Sequence, residues 1–132
     1  MSFGKNRFSS EVEWELLRFV SKKYISVVGG ASKLFKHFVN NYSNGLGIVS
    51  YSDRRYSQGN MYSKLGFKFS HNSQPNYFYF KNSLHLESRQ KYMKHKLSNL
   101  LEVFDESLTE VENMKNNGFN RIWDCGNSVW IY

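Results

Sequence analysis

Side chains with strong hydrogen-bonding groups are concentrated in eight residues near the middle of the chain. The segment from Asp53 to Asn60 contains two arginines, a tyrosine, a glutamine and an asparagine. Arginine can bind guanine through two hydrogen bonds, and glutamine or asparagine can bind adenine in the same way. The segment therefore predicts contacts with DNA bases; the alternative is an ion pair between Asp53 and Arg54 that only shapes a loop. The candidate contact residues, with one lysine that follows them, are Arg54, Arg55, Tyr56, Ser57, Gln58, Asn60 and Lys64.

A second group of basic residues is suited to the phosphate backbone. The segment Ser88–Lys96 is the densest basic stretch of the chain, and its cations predict phosphate contacts. An ordinary solvated helix face is the alternative. Its cations are Arg89, Lys91, Lys94 and Lys96, and further candidates for the same surface are Lys33, Lys36, Lys5 and Arg7.

The formal charge of +7 is unevenly distributed along the chain. Residues 1–96 contain 16 Lys and Arg against five Asp and Glu, whereas residues 97–132 contain two against six. Cations that neutralise nucleic-acid phosphates release condensed counterions, and this release drives association. The asymmetry, together with 17% aromatic residues, favours a nucleic-acid partner. A basic surface that only confers solubility is the alternative.

The residue types give little support to other kinds of chemistry. Cys125 is the one cysteine, which excludes an internal disulfide, and no histidine stands near it at the spacing of a metal site. The four histidines are scattered, and no pair of acidic residues with a supporting lysine indicates a nuclease centre. We therefore expect no metal, no cofactor and no enzymatic activity. An apolar run of membrane-spanning length and a secretion signal are also lacking, so we expect a soluble cytoplasmic protein without a membrane partner.

The elements that would position these residues alternate between strand and helix. Apolar periodicity and glycine-bounded turns predict a strand at 13–20, a helix at 32–42, a strand at 48–52, a short helix at 61–65 ended by Gly66, and a hairpin of 67–69 with 77–80. The longer helix has an apolar face of Leu34, Phe35, Phe38, Val39 and Tyr42. This pattern indicates a mixed, α+β fold.

The remaining chain reads as helices and a terminal hairpin. We expect a long helix at 85–104, a helix that begins with a Ser107–Glu110 capping box and ends at Gly118, and a hairpin at 121–132. The chain would then consist of an α/β core at 1–82 and a C-terminal part at 83–132, packed as one domain. Three tryptophans lie in apolar alternation and are expected in the core: Trp14, Trp123 and Trp130.

Two short segments resemble signatures of the GNAT acetyltransferase fold. Ser26-Val27-Val28-Gly29-Gly30-Ala31 is similar to that family's turn whose backbone amides hold the cofactor pyrophosphate. Tyr62-Ser63-Lys64-Leu65-Gly66-Phe67 looks like the segment whose tyrosine can protonate the departing thiolate. The resemblance implies a GNAT-like sheet that is truncated, because the strand-helix-helix-strand unit that begins the fold is missing and Met1–Gly4 looks like the end of a strand. A general base would come from Glu11, Glu13 or Glu15. Alternatively the glycines only turn the chain and Tyr62 packs in the core.

A longer resemblance covers nearly the whole chain. Glu13–Phe19, Val27–Phe35, Tyr51–Tyr62 and Arg121–Asn127 together resemble the GNAT-like C-terminal domain of phage homing endonucleases. In those enzymes this region is thought to recognise the target DNA, and a separate nuclease domain lies upstream. The resemblance implies a sequence-specific double-stranded DNA-binding protein without a nuclease domain, which represses transcription or occludes a target site for a phage or phage satellite in a bacterial cell. A homodimer would double its contacts with DNA. The alternatives are an acetyl-CoA-dependent N-acetyltransferase and a protein-binding inhibitor.

Overall fold

The computed structural model of this chain describes residues 1–7, 12–82 and 85–132. Helices and two sheets are present, which confirms the predicted α+β class. The described residues form two compact units, Met1–Gln74 with Gly126–Tyr132 and Pro75–Cys125. Glu11, one of the three candidate bases, and Ser83, where the predicted C-terminal part begins, lie outside the described residues. None of the helices in the described ranges is long and apolar enough to cross a membrane.

The elements are short. In chain order they are β1 (Ser2–Lys5), β2 (Trp14–Arg18), α1 (Gly30–Asn41), β3 (Ile48–Asp53), α2 (Asn60–Leu65), β4 (Lys68–Asn72), β5 (Tyr77–Phe80), β6 (Glu87–Ser88), a 3-10 turn (Arg89–Tyr92), α3 (Lys94–Leu97), α4 (Glu110–Asn116), β7 (Asn120–Trp123) and β8 (Asn127–Ile131). The four elements predicted before the first hairpin are thus confirmed, and Met1–Gly4, which looked like part of a strand, overlap β1.

The first unit contains a five-stranded sheet in the order β1-β2-β3-β8-β4. Its neighbouring strands are antiparallel except β2 and β3, which are parallel and connected through α1. These two strands pair only where Trp14 faces Ile48 and Glu15 faces Val49. Beyond Glu15, no described residue of β2 pairs with β3.

Aromatic and aliphatic side chains join the first sheet to α1. The buried members of this core are Leu16, Phe35, Ile48, Phe67 and Trp130. Phe3 of β1 stacks on Phe38 of α1 at a centroid distance of 3.6 Å. The predicted apolar face of the helix is only partly correct, because Leu34 and Tyr42 are exposed. A large apolar side chain that is fully buried, like Phe35, stabilises the fold by about 1.5–3 kcal/mol.

The second unit is built around a three-stranded sheet in the order β6-β5-β7. Its buried core consists of Tyr79, Tyr92, Leu97 and Met114. The buried amide of Asn113 donates to the Asp105 carbonyl at 2.8 Å and accepts from the Asp105 backbone N–H at 2.8 Å. These bonds hold a segment that has no regular structure, since a buried polar group must keep its partners.

Both predicted hairpins are wrong, although their strands exist. β4 pairs with β8, whereas β5 pairs with β7, so each expected hairpin is divided between two sheets. In the first unit the Ser73 backbone N–H donates to the Asn127 carbonyl at 2.8 Å. Gly126 has φ +70°, and a Cβ there would lie 2.5 Å from the Ser73 carbonyl oxygen. The left-handed turn thus separates β7 from β8, and the units differ from the expected division at 82 and 83 because β8 returns to the first sheet.

The predicted long helix at 85–104 is also wrong. Met93 has extended backbone angles, φ −60° and ψ 141°, which separate the 3-10 turn from α3. The Tyr92 ring is buried in the second core, and its hydroxyl donates to Glu87 Oε2 at 2.9 Å. The extended backbone at Met93 interrupts the predicted helix, and the Tyr92 ring faces the core instead of solvent.

The capping box of α4 lies two residues beyond the predicted one. Thr109 Oγ1 accepts from the Glu112 backbone N–H at 3.3 Å, while the Glu112 carboxylate accepts from the Thr109 backbone N–H at 2.8 Å. The hydrogen bonds from Thr109 hold the pKa of Glu112 below its usual range. Ser107 is engaged elsewhere, because its hydroxyl donates to Asp105 Oδ1 at 2.6 Å.

Thr109→Ala should lower the free energy of unfolding by about 1 kcal/mol, since it removes the acceptor that caps α4. Ser107→Ala is the matched control because it removes a hydroxyl from an exposed turn, and it should cost less. Urea denaturation of both variants measures the difference. A larger loss for Ser107→Ala would contradict the observed cap.

Candidate nucleic-acid interface

The loop between β3 and α2 is organised by Asp53. Its carboxylate accepts hydrogen bonds from the Arg55 backbone N–H at 2.8 Å and from the Arg55 guanidinium, also at 2.8 Å. The hydrogen bonds from Arg55 hold the pKa of Asp53 below its usual range. The ion pair considered for Asp53 and Arg54 is therefore formed with Arg55. Arg55 shapes the loop and also lies over the Tyr56 ring at 5.0 Å.

The rest of the loop presents its polar side chains outward. The backbone N–H groups of Tyr56 and Ser57 both donate to the Asp53 carbonyl, at 3.1 and 3.0 Å. Tyr56 is 82% exposed, which leaves its ring available to a partner. The other exposed side chains of the loop and of the start of α2 are Arg54, Ser57, Gln58, Asn60 and Lys64.

Gly59 fixes this loop to the core of the first unit. It has φ +77°, and a Cβ at this position would lie 2.1 Å from Cζ2 of Trp130. The Trp130 indole in turn donates from Nε1 to Ser52 Oγ at 3.0 Å. A side chain at position 59 would therefore displace either the loop or the tryptophan.

A cleft of about 350 Å³ opens between the N-terminus of α1 and α2. Gly29 precedes α1 in a left-handed conformation, and the helix start has neither a side-chain cap nor an acidic residue in its first turn. The first N–H groups of a helix lack partners within it and carry partial positive charge. Among the residues described, those that line this cleft are Phe19, Val27, Gly29, Gly30, Ala31, Ser32, Asn60, Met61, Lys64 and Leu65. We call this the basic cleft.

Further cations extend the basic cleft. An adjoining groove of about 400 Å³, lined by Lys22 and Lys33 together with apolar residues, shares Phe19, Val27 and Gly30 with it. No carboxylate lines either concavity in the part of the chain that the structure describes. Lys36 is exposed on α1. Lys22 was not among the candidates predicted from the sequence, although its position in a polar connection just before the Gly29-Gly30 turn could have indicated it.

The predicted phosphate-binding segment at 88–96 belongs to the second unit and does not form one helix face. Lys91 forms an ion pair with Glu87, and Lys96 Nζ donates to the Gln90 carbonyl at 3.2 Å. The Arg89 guanidinium lies over the Tyr77 ring at 5.2 Å. Lys94 is exposed. In the first unit, Lys5 forms an ion pair with Glu13, and Arg7 is exposed.

The residues predicted for acetyl transfer have different surroundings. Glu13 forms an ion pair with Lys5, whereas Glu15 is 8% exposed and its Oε2 has no hydrogen-bond partner among the described residues. Burial and the nearby Glu15 carboxylate raise the pKa of Tyr51. The Tyr62 hydroxyl donates to the Tyr51 carbonyl at 3.3 Å. Within the described ranges, no group of three or more His, Cys, Asp or Glu could hold a metal ion.

Trp123 departs from the expectation for the tryptophans. Trp14 and Trp130 belong to the first core or pack against it, as predicted. Trp123 is 52% exposed on β7, and the Arg121 guanidinium lies 4.8 Å from the centre of its ring. Alternation within a terminal strand does not reveal which of its faces is covered, so the sequence pattern could not identify this ring as a surface group.

Comparison with protein-family models, with curated protein sequences and with solved structures finds no match for this chain. The two family resemblances in the sequence therefore stay predictions.

Gly59→Ala should destabilise the first unit by about 3 kcal/mol or more, because the new methyl group adds a clash with Trp130 to the cost of a left-handed backbone. Gly45→Ala is the control: Gly45 has φ +73° but no heavy atom within 4 Å of the added Cβ. Only the backbone cost of about 1 kcal/mol should appear there. Thermal unfolding compares the two variants, and equal losses would contradict the contact between Gly59 and Trp130.

Proposed function

We propose that this chain binds double-stranded DNA and acts as a transcriptional repressor or target-site occluder. The observation that supports this most is the basic cleft, where the start of α1, which has no side-chain cap, lies beside Lys64 and none of the described lining residues is a carboxylate. Such a helix start favours phosphate oxygens, because its N–H groups and its dipole both point toward them. The loop at 53–60 leads directly into α2, so a duplex whose phosphate lies in the cleft brings its base edges toward the exposed loop.

The candidate residues divide into two roles on this proposal. Lys33, Lys36 and Lys64 neutralise phosphates and supply affinity that does not depend on sequence. Arg54, Gln58 and Asn60 supply hydrogen bonds to base edges and therefore sequence preference. Arg55 supports them by holding Asp53 and the turn that follows it.

A second candidate function, acetyl-CoA-dependent N-acetyl transfer, is favoured by the buried carboxylate of Glu15 on β2, whose Oε2 has no hydrogen-bond partner among the described residues. Calorimetric titration with acetyl-CoA separates the two functions. DNA binding as the sole function predicts no saturable heat. A saturable signal that is weaker in Lys64→Gln, together with loss of turnover in Tyr62→Phe, would support acetyl transfer as the function instead of DNA binding.

The test is fluorescence anisotropy with duplex fragments selected from a random pool by the wild-type protein, over a series of salt concentrations. Lys64→Gln should weaken binding to every duplex and reduce the slope of log K against log salt by about 1, because one phosphate contact is lost. Arg54→Ala should cost about 1–3 kcal/mol on the selected site and less on unrelated duplexes.

Lys5→Gln is the matched control, because it removes the same charge from a lysine that is already paired with Glu13. It should leave the salt slope nearly unchanged. Wild-type protein that binds no duplex at moderate salt would overturn the proposal. If Lys5→Gln loses as much affinity as Lys64→Gln, the basic cleft is not the DNA-binding surface.

A further inference from the structure

Two arginines and two aromatic rings form one partly exposed cluster in the second unit. The guanidinium of Arg121 lies 5.3 Å from the centre of the Tyr77 ring and 4.8 Å from that of Trp123. Arg89 lies 5.2 Å from the Tyr77 ring, and the two rings are 5.9 Å apart. We call these four residues the arginine–aromatic cluster. Trp123 is half-exposed and Tyr77 is partly buried, so the cluster presents part of its aromatic surface to solvent.

The sheet of the second unit holds the cluster in a fixed arrangement. Tyr77 faces Trp123 across β5 and β7, and Tyr79 faces Arg121 in the same way. Three members of the cluster, Tyr77, Arg121 and Trp123, therefore lie on one face of the sheet together with Tyr79. The hydroxyls of Tyr77 and Tyr79 both donate to Glu110 Oε1, at 3.1 and 3.0 Å. A partner would therefore meet rings whose positions are already set, which reduces the entropy lost on binding.

The charges around the cluster favour an anionic partner. Within the described ranges, neither Arg89 nor Arg121 forms an ion pair with a carboxylate. Glu110 accepts hydrogen bonds from the two tyrosine hydroxyls, and Asp124 accepts one from the Asn76 backbone N–H at 2.8 Å. The guanidinium groups are thus held by ring faces and remain able to bind phosphate.

A small cavity of about 140 Å³ lies directly beside the cluster. It is lined by Tyr79, Val111, Lys115, Phe119, Asn120 and Arg121. Lys115 and Arg121 are its two cations, and no carboxylate contributes to its described walls. Arg121 therefore belongs both to an aromatic surface and to a pocket suited to one phosphate group.

We propose that the arginine–aromatic cluster binds an unstacked nucleobase, with its base on Trp123 and a neighbouring phosphate between Arg121 and Lys115. Exposed aromatic rings beside cations are the arrangement that binds single-stranded or locally unstacked nucleic acid, since every base has a face that can stack. This inference rests on the proposed DNA binding and adds to it a preference for sites where a base leaves the helix.

The experiment compares three fluorescent probes of equal sequence: a fully paired duplex, the same duplex with one additional unpaired base, and the single strand. Wild-type protein should bind the probe with the unpaired base roughly tenfold more tightly than the paired duplex, from one additional stacking contact. Trp123→Ala should abolish this gain while leaving binding to the paired duplex unchanged. Trp123→Phe should keep part of the gain, and Lys115→Gln should lower it.

Ile122→Ala is the matched control, because Ile122 is also exposed on β7 but neighbours Trp123 on the opposite face of the strand. It should keep the full preference for the unpaired base. Equal wild-type affinity for the paired and unpaired duplexes, or equal effects of Trp123→Ala and Ile122→Ala, would overturn the inference. Displacement of the probe with the unpaired base by a poly-glutamate peptide as effectively as by the single strand would also overturn the inference, because it would assign the cluster to binding of acidic protein segments.

The two proposals fail separately. If the wild-type protein binds no duplex, the proposed function is overturned. Single-strand binding that depends on Trp123 would still support base stacking at the arginine–aromatic cluster. Intact duplex binding without a preference for the unpaired base overturns only the cluster.

Discussion

The approach of Gly59 to the Trp130 indole is the contact on which the candidate interface depends. Trp130 lies on β8, between β3 and β4 in the first sheet, and its ring is part of the core. Its indole N–H is bound to Ser52, just before the loop, and its six-membered ring fills the space that a side chain at position 59 would need. The polar loop is therefore attached to a buried tryptophan at both of its ends. This attachment allows a short surface segment to hold a defined conformation, because core packing restricts it from below.

Charge alone does not distinguish a binding cation from one that serves the fold. Lys5 and Lys91 are paired with glutamates, and Arg55 is bound to Asp53, whereas Lys33 and Lys64 lie at clefts whose described lining residues include no carboxylate. From the sequence alone, all five are candidate DNA contacts. Their separation follows from strand pairing and helix packing, which bring together residues distant in the chain. The same is true of Arg121 and Trp123, whose role depends on Tyr77 and on strand β5.

Local signals predicted local structure well. β2, α1, β3 and α2 follow from alternation, helical periodicity and the glycines at 29–30 and 66, since each signal acts within a few residues. Partner choice between strands was not predictable in this way. Pro75 and the Gly126-Asn127 pair indicated two hairpins, yet β4 pairs with β8 and β5 with β7, partners that lie far away in the sequence. The segment around Tyr92 likewise suggested one long helix, which the extended backbone at Met93 interrupts.

Lysine modification mapped by mass spectrometry, with and without a bound duplex, tests the central claim most directly. If the basic cleft is the DNA-binding surface, Lys33, Lys36, Lys64 and the adjoining Lys22 should be modified more slowly in the complex. The modification rate of Lys5 should not change. Duplex-dependent protection that is uniform over all these lysines, or that affects Lys5 more than Lys64, would contradict it.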